Sequence, residues 1–441
     1  MKAKKIFRAV LIATPILVGG VLPIGGVMAQ MRGGPPREMP MPRMPSPMEG
    51  RGRPDGVGRP ADAAANGLAH AEAAQTQRLA RVQRDKAEAL ARQFPDDYEL
   101  DGNGALAVRG EVLAVNLSDQ ALATARRAGF TIVRQDMVEG LGLPMTVLTH
   151  PVWPLSKMVD KLRDIAPDAA IEADHIFSPS GATHFGGVAP EERDPGRGSN
   201  WRVGMIDTGV SSGGRTTRIV QQGFAPGGVV ARAHGTAVAD ILARHTPDEP
   251  GASAAGTVFA ADIFGAGRRG GTAELMVKAL GWLVRQEVPV VNISMVGPYN
   301  GVVAAAISMV VKRGMLIVAP VGNDGSAARL LYPASLEGVI AVTGVDARGQ
   351  LLPEASRVSR VDFAGPGVTA VRGMSGQIME MRGTSFAAPV VAHRLAELLP
   401  APEPGAARRV LRTMAETAWK PRNGRPGLGR GIIGMAPLSS R

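Results

Sequence analysis

From about residue 200 onward, short apolar runs alternate with helically spaced ones. Val203–Ile206, Thr257–Phe264, Val288–Ser294 and Met315–Val318 are nearly unbroken apolar stretches, which predicts buried strands. Between them, Thr272–Arg285 and Val302–Arg313 carry apolar residues at helical spacing. Phe386–Leu399 is rich in alanine and leucine and lacks glycine, which predicts a further helix. Pro389 is expected in its first turn, where a missing N–H does no harm. Alternating strands and helices predict an α/β domain over 201–441, with a mostly parallel sheet and helices on both faces.

Residues 105–181 follow a different rhythm. Val108–Asn116, Phe130–Val138, Pro144–Thr149 and Ala170–Phe177 read as strands. Ser118–Ala128 reads as a helix capped by Ser118, and Leu155, Met158, Val159 and Leu162 mark a second helix. The resulting β-α-β-β-α-β order predicts a small ferredoxin-like α+β domain. Just before it, Asp97, Glu99 and Asp101 suggest the start of a calcium loop, but the twelfth position is Val108 where a glutamate is needed. Asp101-Gly102-Asn103-Gly104 is accordingly expected to be a turn.

The N-terminal fifth has little apolar patterning. Residues 1–29 combine Lys2, Lys4, Lys5 and Arg8 with the 19-residue apolar run Ala9–Val27 and the small-residue end Val27-Met28-Ala29. This predicts an export signal, with an uncleaved membrane anchor as the second reading. Residues 30–60, dense in Pro, Met, Arg and Gly, are expected to be a disordered linker. Residues 61–93 are alanine-rich with interleaved charge and a thin stripe at Leu79, Val82 and Leu90, which predicts a solvated helix. The aperiodic stretch 182–200 reads as a linker and processing region.

Composition narrows the function classes. The net charge of +11 suggests nucleic acid, but the first 60 residues alone carry +7. With only 4% aromatic residues, no basic-aromatic surface remains, so no nucleic-acid partner is expected. The absence of cysteine excludes disulfides and thiolate metal sites.

Candidate chemistry centres on Ser385, which lies between small residues where a loop becomes a helix. Backbone N–H groups and the positive end of a helix dipole point there, which suits a developing oxyanion. A serine hydroxyl needs a base. His234 begins a second helix among small residues, and Asp207 ends the apolar strand Val203–Ile206, at the edge where open α/β sheets place their chemistry. Taken singly, each of these patterns is an ordinary cap or turn.

Taken together, Ile206-Asp207-Thr208-Gly209, His234-Gly235-Thr236 and Gly383-Thr384-Ser385 with Ala388-Pro389 resemble the subtilisin-like serine proteases, whose chain order is Asp, His, Ser. The resemblance implies an Asp207, His234, Ser385 triad and, from Val318–Gly325, an oxyanion hole made by Asn323 and the Ser385 N–H. It further implies substrate contacts from Ser294, Met295, Val296 and Gly297 on one pocket wall and from Ala319 and Gly322 on the other. Gly267 and Arg268 fall in a loop expected along the substrate backbone, although Gly265–Gly270 also fits a weak dinucleotide-loop pattern.

Val296 stands where the family often has glycine, which narrows the expected pocket. The resemblance makes residues 105–181 a prodomain that inhibits the enzyme, within a self-processing precursor. The expected protein is a secreted or periplasmic endopeptidase acting on polypeptides, touching membrane only if its signal segment stays uncleaved. No cofactor or metal is expected, since His245–Ala255 offers only Asp248 and Glu249 toward calcium. Two alternatives stay open: a catalytically silent envelope binding protein with a retained prodomain, and a sedolisin-like acid peptidase, a family with glutamate where His234 stands.

Overall fold

A computed structural model describes residues 81–82, 84–180, 183–185, 201–211, 217–243, 256–325, 331–356, 358, 360–421 and 426–435. The expected signal segment, the linkers at 30–60 and 182–200 and most of 61–93 therefore lie outside the described residues, apart from 183–185. Of the expected solvated helix, 84–93 is helical (α1). Among the described residues no helix is long and apolar enough to cross a membrane.

The α/β expectation holds. Strands β8 (Arg202–Asp207), β9 (Arg218–Gly223), β10 (Thr257–Asp262), β11 (Val290–Ile293), β13 (Leu316–Pro320), β14 (Val339–Val345) and β15 (Phe363–Pro366) form one sheet in the order β15-β14-β13-β11-β8-β10-β9. Every neighbouring pair is parallel. Side chains alternate between two cores because successive strand residues face opposite sides. Val258, Val290, Val318 and Val342 face α4 (Ala233–Leu242), α7 (Thr384–Leu398) and α8 (Ala407–Thr417). Phe259, Val291, Ile317 and Ala341 face α5 (Ala273–Arg285) and α6 (Gly301–Lys312).

The second region also follows its predicted order, as β2 (Leu106–Val115), α2 (Asp119–Arg127), β3 (Thr131–Val138), β4 (Leu143–Thr149), α3 (Leu155–Ile165) and β5 (Ala170–His175). Its antiparallel sheet runs β5-β2-β4-β3. Ser118 accepts from Ala121 N–H and caps α2 as expected. A short strand, β1 (Tyr98–Leu100), adds to β2 beyond the bend at Gly110, where φ is +65°. The predicted turn after β1 forms with Asp101 Oδ1 accepting from the N–H of Asn103 and Ala105.

This small sheet is apolar on both faces. Val112 and Ala114 pack under α2 and α3, whereas Leu113, Val115, Leu143, Met145 and Val147 share one cluster with α5 and α6 of the larger domain. At about 1.5–3 kcal/mol for each large side chain, these five contribute on the order of 10 kcal/mol, comparable with the entropic cost of association. Docking therefore rests on apolar burial, and polar contacts set the register. Gly140 and Gly281 allow the approach, since a Cβ on Gly140 would lie 1.8 Å from the Gly281 carbonyl oxygen.

The polar contacts complete helix ends. Thr272 and Asn300 cap α5 and α6 with their own side chains. The strand residue Asp174 then accepts from Glu274 N–H at 2.9 Å, and Glu172 accepts from Gly301 N–H at 3.3 Å. Glu111, Asp174 and Glu274 converge closely enough to suggest a cation site. Positive charge is supplied there by Arg134, whose guanidinium bonds both Glu111 and Glu274, by Lys278 at 2.8 Å from Glu274 and by Arg269 at 3.5 Å from Glu111.

Complete burial, reinforced by Glu274 and Glu111, pushes the Asp174 carboxyl up to about 8. Raised above its ordinary value of 3.8, it contributes stability that is fully present below that value and lost as the pH rises through about 8. The thermal midpoint of the intact chain should therefore fall more steeply between about pH 4 and 8 than that of Asp174→Asn, which keeps the acceptor and removes the titration. Parallel pH profiles would contradict this assignment.

Candidate active site

The Asp207 carboxylate closes β8, fully buried, with Oδ1 accepting from Thr208 N–H at 2.7 Å. Helix α4 starts against this strand end, and Gly235 makes the fit possible. A Cβ there would lie 2.3 Å from the Thr208 carbonyl oxygen, whereas the glycine N–H donates to Thr208 Oγ1 at 3.0 Å. The neighbouring His234 is thereby aimed at Asp207, its Nδ1 lying 2.9 Å from both carboxylate oxygens. With the Nδ1 proton on the carboxylate side, the Nε2 lone pair faces Ser385 Oγ at 3.1 Å.

Ser385 is the second residue of α7 and is fully buried. Gly383 precedes the helix at φ +142°, ψ 164°, a conformation open in practice only to glycine. Pro389 departs from expectation: because α7 begins at Thr384, the proline is its sixth residue and falls in the second turn. The N–H it lacks would have met the Ser385 carbonyl. Ser294 Oγ donates to that carbonyl at 3.1 Å instead, and itself accepts from Asn292 Nδ2 at 2.8 Å.

Asn323 is oriented by the same turn. Its Oδ1 accepts from Thr384 N–H at 2.9 Å, which turns the amide nitrogen toward the cleft. There Nδ2 donates to the carbonyl oxygen of Ser180 at 2.6 Å. The cleft is thus occupied by the chain itself.

Phe177 N–H donates to Gly271 at 2.7 Å, and β6 (Ser178–Pro179) pairs antiparallel with β12 (Met295–Val296). Ser180 N–H donates to the Ser294 carbonyl at 3.3 Å. Past the site, β7 (Thr183–Phe185) pairs with β17 (Ile378–Arg382), itself in a hairpin with β16 (Val368–Arg372). The chain is held on both sides of Ser180.

The expected substrate-contact residues divide. Ser294 and Val296 meet the segment in the cleft through their backbones, and Gly297 lies against the Phe177 ring, where a Cβ would come within 2.5 Å. Met295 pairs through its backbone while its side chain is buried in the core, as is that of Ala319. Gly322 adopts φ +99° beside the cleft. Gly267 and Arg268 belong to a loop facing another element: Tyr98 Oη donates to the Arg268 carbonyl, and Arg268 Nε donates to Asp97 at 2.8 Å. The segment in the cleft pairs with Gly271 and Thr272 rather than with Gly267 or Arg268.

One buried residue escaped the sequence reading. Asp262 ends β10 beside Asp207, and its carboxylate accepts from Val230, Phe264 and Gly265 N–H at 2.7, 2.8 and 3.1 Å, pinning the two loops beside the cleft. Its signal was the one used for Asp207, an acidic residue closing an apolar strand.

The sequence profile of the subtilase family matches residues 228–431. Subtilisin DY of Bacillus licheniformis is 28% identical over 214 residues, covering 46% of this chain and 78% of that protein. The major intracellular serine protease of Bacillus subtilis (strain 168) is 26% identical over 227 residues, 47% of this chain and 71% of that one. Fervidolysin from Fervidobacterium pennivorans, a keratinolytic enzyme related to subtilisin, superposes with a TM-score of 0.61 at 19% identity. That match covers 77% of this chain and 62% of fervidolysin, less than two thirds of its length, and shows the fold.

Ser294→Ala should leave the Ser385 carbonyl buried without a donor and destabilise the protein by about 1–3 kcal/mol. A urea unfolding midpoint equal to wild type would remove Ser294 from this role. With the parallel sheet, the ordered sequence motifs and the relatives in agreement, residues 228–431 match the subtilase family and the chain is similar to subtilisin-like serine endopeptidases.

Proposed function

We propose that the protein is an exported, self-processing precursor whose first substrate is its own bond between Ser180 and Gly181. The observation that carries this reading is the Ser180 carbonyl oxygen lying 2.6 Å from Asn323 Nδ2, beside the Ser385 and His234 pair at 3.1 Å. Ser385 Oγ attacks the Ser180 carbonyl carbon while His234 Nε2 takes the hydroxyl proton. Asp207 holds the imidazole in the required tautomer and stabilises the imidazolium. Asn323 Nδ2 and Ser385 N–H stabilise the oxyanion.

Collapse of the tetrahedral intermediate breaks the C–N bond, and His234 returns its proton to the departing Gly181 amine. Water, deprotonated by His234, then attacks the Ser180 acyl-enzyme, and His234 returns that proton to Ser385 Oγ as the ester bond breaks and the Ser180 carboxylate is released. The 105–181 region, cut at its penultimate residue, remains as a prodomain and inhibitor. The mature domain then cleaves other polypeptides. Residues 1–29 act as the export signal, giving a secreted or periplasmic enzyme. A silent binding protein finds no support in a site where all three side chains are present and hydrogen-bonded, and His234 separates the chain from the sedolisin pattern.

N-terminal sequencing of wild type beside Ser385→Ala tests the proposal. Wild type should yield a fragment starting at Gly181, whereas Ser385→Ala should remain uncut and fail to hydrolyse peptides. Identical migration of the two proteins would overturn self-processing.

A separate variant addresses the oxyanion. Asn323→Ala should lower peptide turnover by about a hundredfold to a thousandfold, the scale for loss of one such donor. Unchanged turnover would remove Asn323 from the oxyanion hole.

A further inference from the structure

The proposed cleavage fixes which side chain precedes the scissile bond, and the structure shows what lies around it. Ser180 is 2% exposed, enclosed between β12 and the segment that follows β13. Its Oγ lies 3.4 Å from Asn323 Nδ2, so a larger side chain there would extend beside the neighbouring Gly322. That space is already filled: a Cβ built on Gly322 would lie 2.3 Å from Leu331 Cδ1, 3.2 Å from Ser356 Oγ and 3.5 Å from Val296 Cγ1.

The sequence leads one to expect a narrowing by Val296 and does not single out Leu331, which follows Gly322 by nine residues and reaches it only through the fold. Its position is fixed by the backbone. The next residue, Tyr332, exchanges two hydrogen bonds with Gly297, at 2.9 and 3.1 Å, which ties this loop to the end of the strand carrying Val296. Ser356 closes the remaining side, its N–H donating to the Gly322 carbonyl at 3.0 Å and its Oγ accepting from Asp324 N–H at 3.1 Å.

We propose that Leu331 is the specificity-determining residue of this protease: with Val296 it plugs the slot for the residue before the scissile bond, restricting that residue to serine, alanine or glycine. This rests on the proposed function and names its substrate class. Serine, with one heavy atom beyond Cβ, fits beside the plug. A leucine or phenylalanine side chain needs the volume that the Leu331 methyl group occupies, and a close-packed site cannot hold both.

The test uses the full-length chain after export, with tetrapeptide substrates ending in Ala, Ser, Leu or Phe before a chromogenic leaving group. Wild type should show kcat/KM for Ala and Ser exceeding that for Phe by between about ten- and two-hundredfold. Leu331→Ala should raise the Phe-to-Ala ratio at least about tenfold. A wild type that prefers Phe, or a ratio unmoved by Leu331→Ala, overturns the proposal.

Self-processing supplies a second readout, in which the residue entering the slot is changed. Ser180→Phe should stall cleavage while Ser180→Ala is still cut, and Ser180→Phe should be cut again when combined with Leu331→Ala. Ser180→Phe cut as fast as wild type overturns the proposal even if the Leu331 variant fails to fold. Failure of the functional reading looks different: wild type would then cleave none of the four peptides and match Ser385→Ala.

Discussion

The first turn of α7 can sit at the mouth of the cleft only because other segments satisfy its backbone. A helix start leaves N–H groups without partners, and Pro389 leaves the Ser385 carbonyl without one. Gly367 takes the Gly383 N–H, Asn323 takes that of Thr384, and Ser294 donates to the Ser385 carbonyl. Each partner comes from a loop at the carboxyl edge of the sheet. The same bonds set the chemistry, since the Asn323 amide faces the cleft because its oxygen is held by Thr384. Burying Ser385 and orienting its proposed oxyanion donor are thus one structural requirement.

The cleft is filled by the chain in an extended run, with its contacts divided unequally about Ser180. On the amino side lie the pairing with Gly271 and with β12, the caps on α5 and α6, and the apolar face of the small sheet. On the other side, the pairing of β7 with β17 spans three residues. Cutting after Ser180 would divide these sets and leave the larger one on residues 105–180. On the proposed reading, processing and inhibition would be consecutive uses of one interface, because hydrolysis of the bond removes none of the apolar burial that holds the small sheet in place.

Much of this architecture was legible in the sequence. Unbroken apolar runs gave β8, β10, β11 and β13, and the small domain followed its predicted order because its strands and helices are amphipathic over whole elements. Asp207, His234 and Ser385 stood out because each ends a strand or begins a helix among small residues, and the fold brings them within 3.1 Å. What the pattern does not carry is local or long-range. Pro389 lies one turn later than its expected place because a helix N-terminus is the least certain point of a pattern. Strand β1 is three residues long and partly charged, too short for alternation to show. Arg268, expected along the substrate backbone, meets Asp97, a partner 171 residues away that its sequence neighbourhood does not reveal. The occupant of the cleft was likewise invisible to local pattern, since pairing between Ser178 and Val296 depends on the docked domain.

Asp262 shows why strand-end position alone could not single out the acid of the site. It is the direct neighbour of Asp207 across parallel strands, and both carboxylates are buried at the same edge. Their surroundings differ. Asp207 faces the imidazole of His234, whereas Asp262 faces three backbone N–H groups and so organises loops rather than a side chain. Gly209 separates these roles sterically, since a Cβ there would lie 2.9 Å from Asp262 Oδ2 and 2.7 Å from the Val230 carbonyl oxygen. The glycine of the Asp-Thr-Gly run thus lets the loop carrying Val230 close onto Asp262, and that loop leads directly into α4 and His234. The second carboxylate helps to place the histidine that the first one orients.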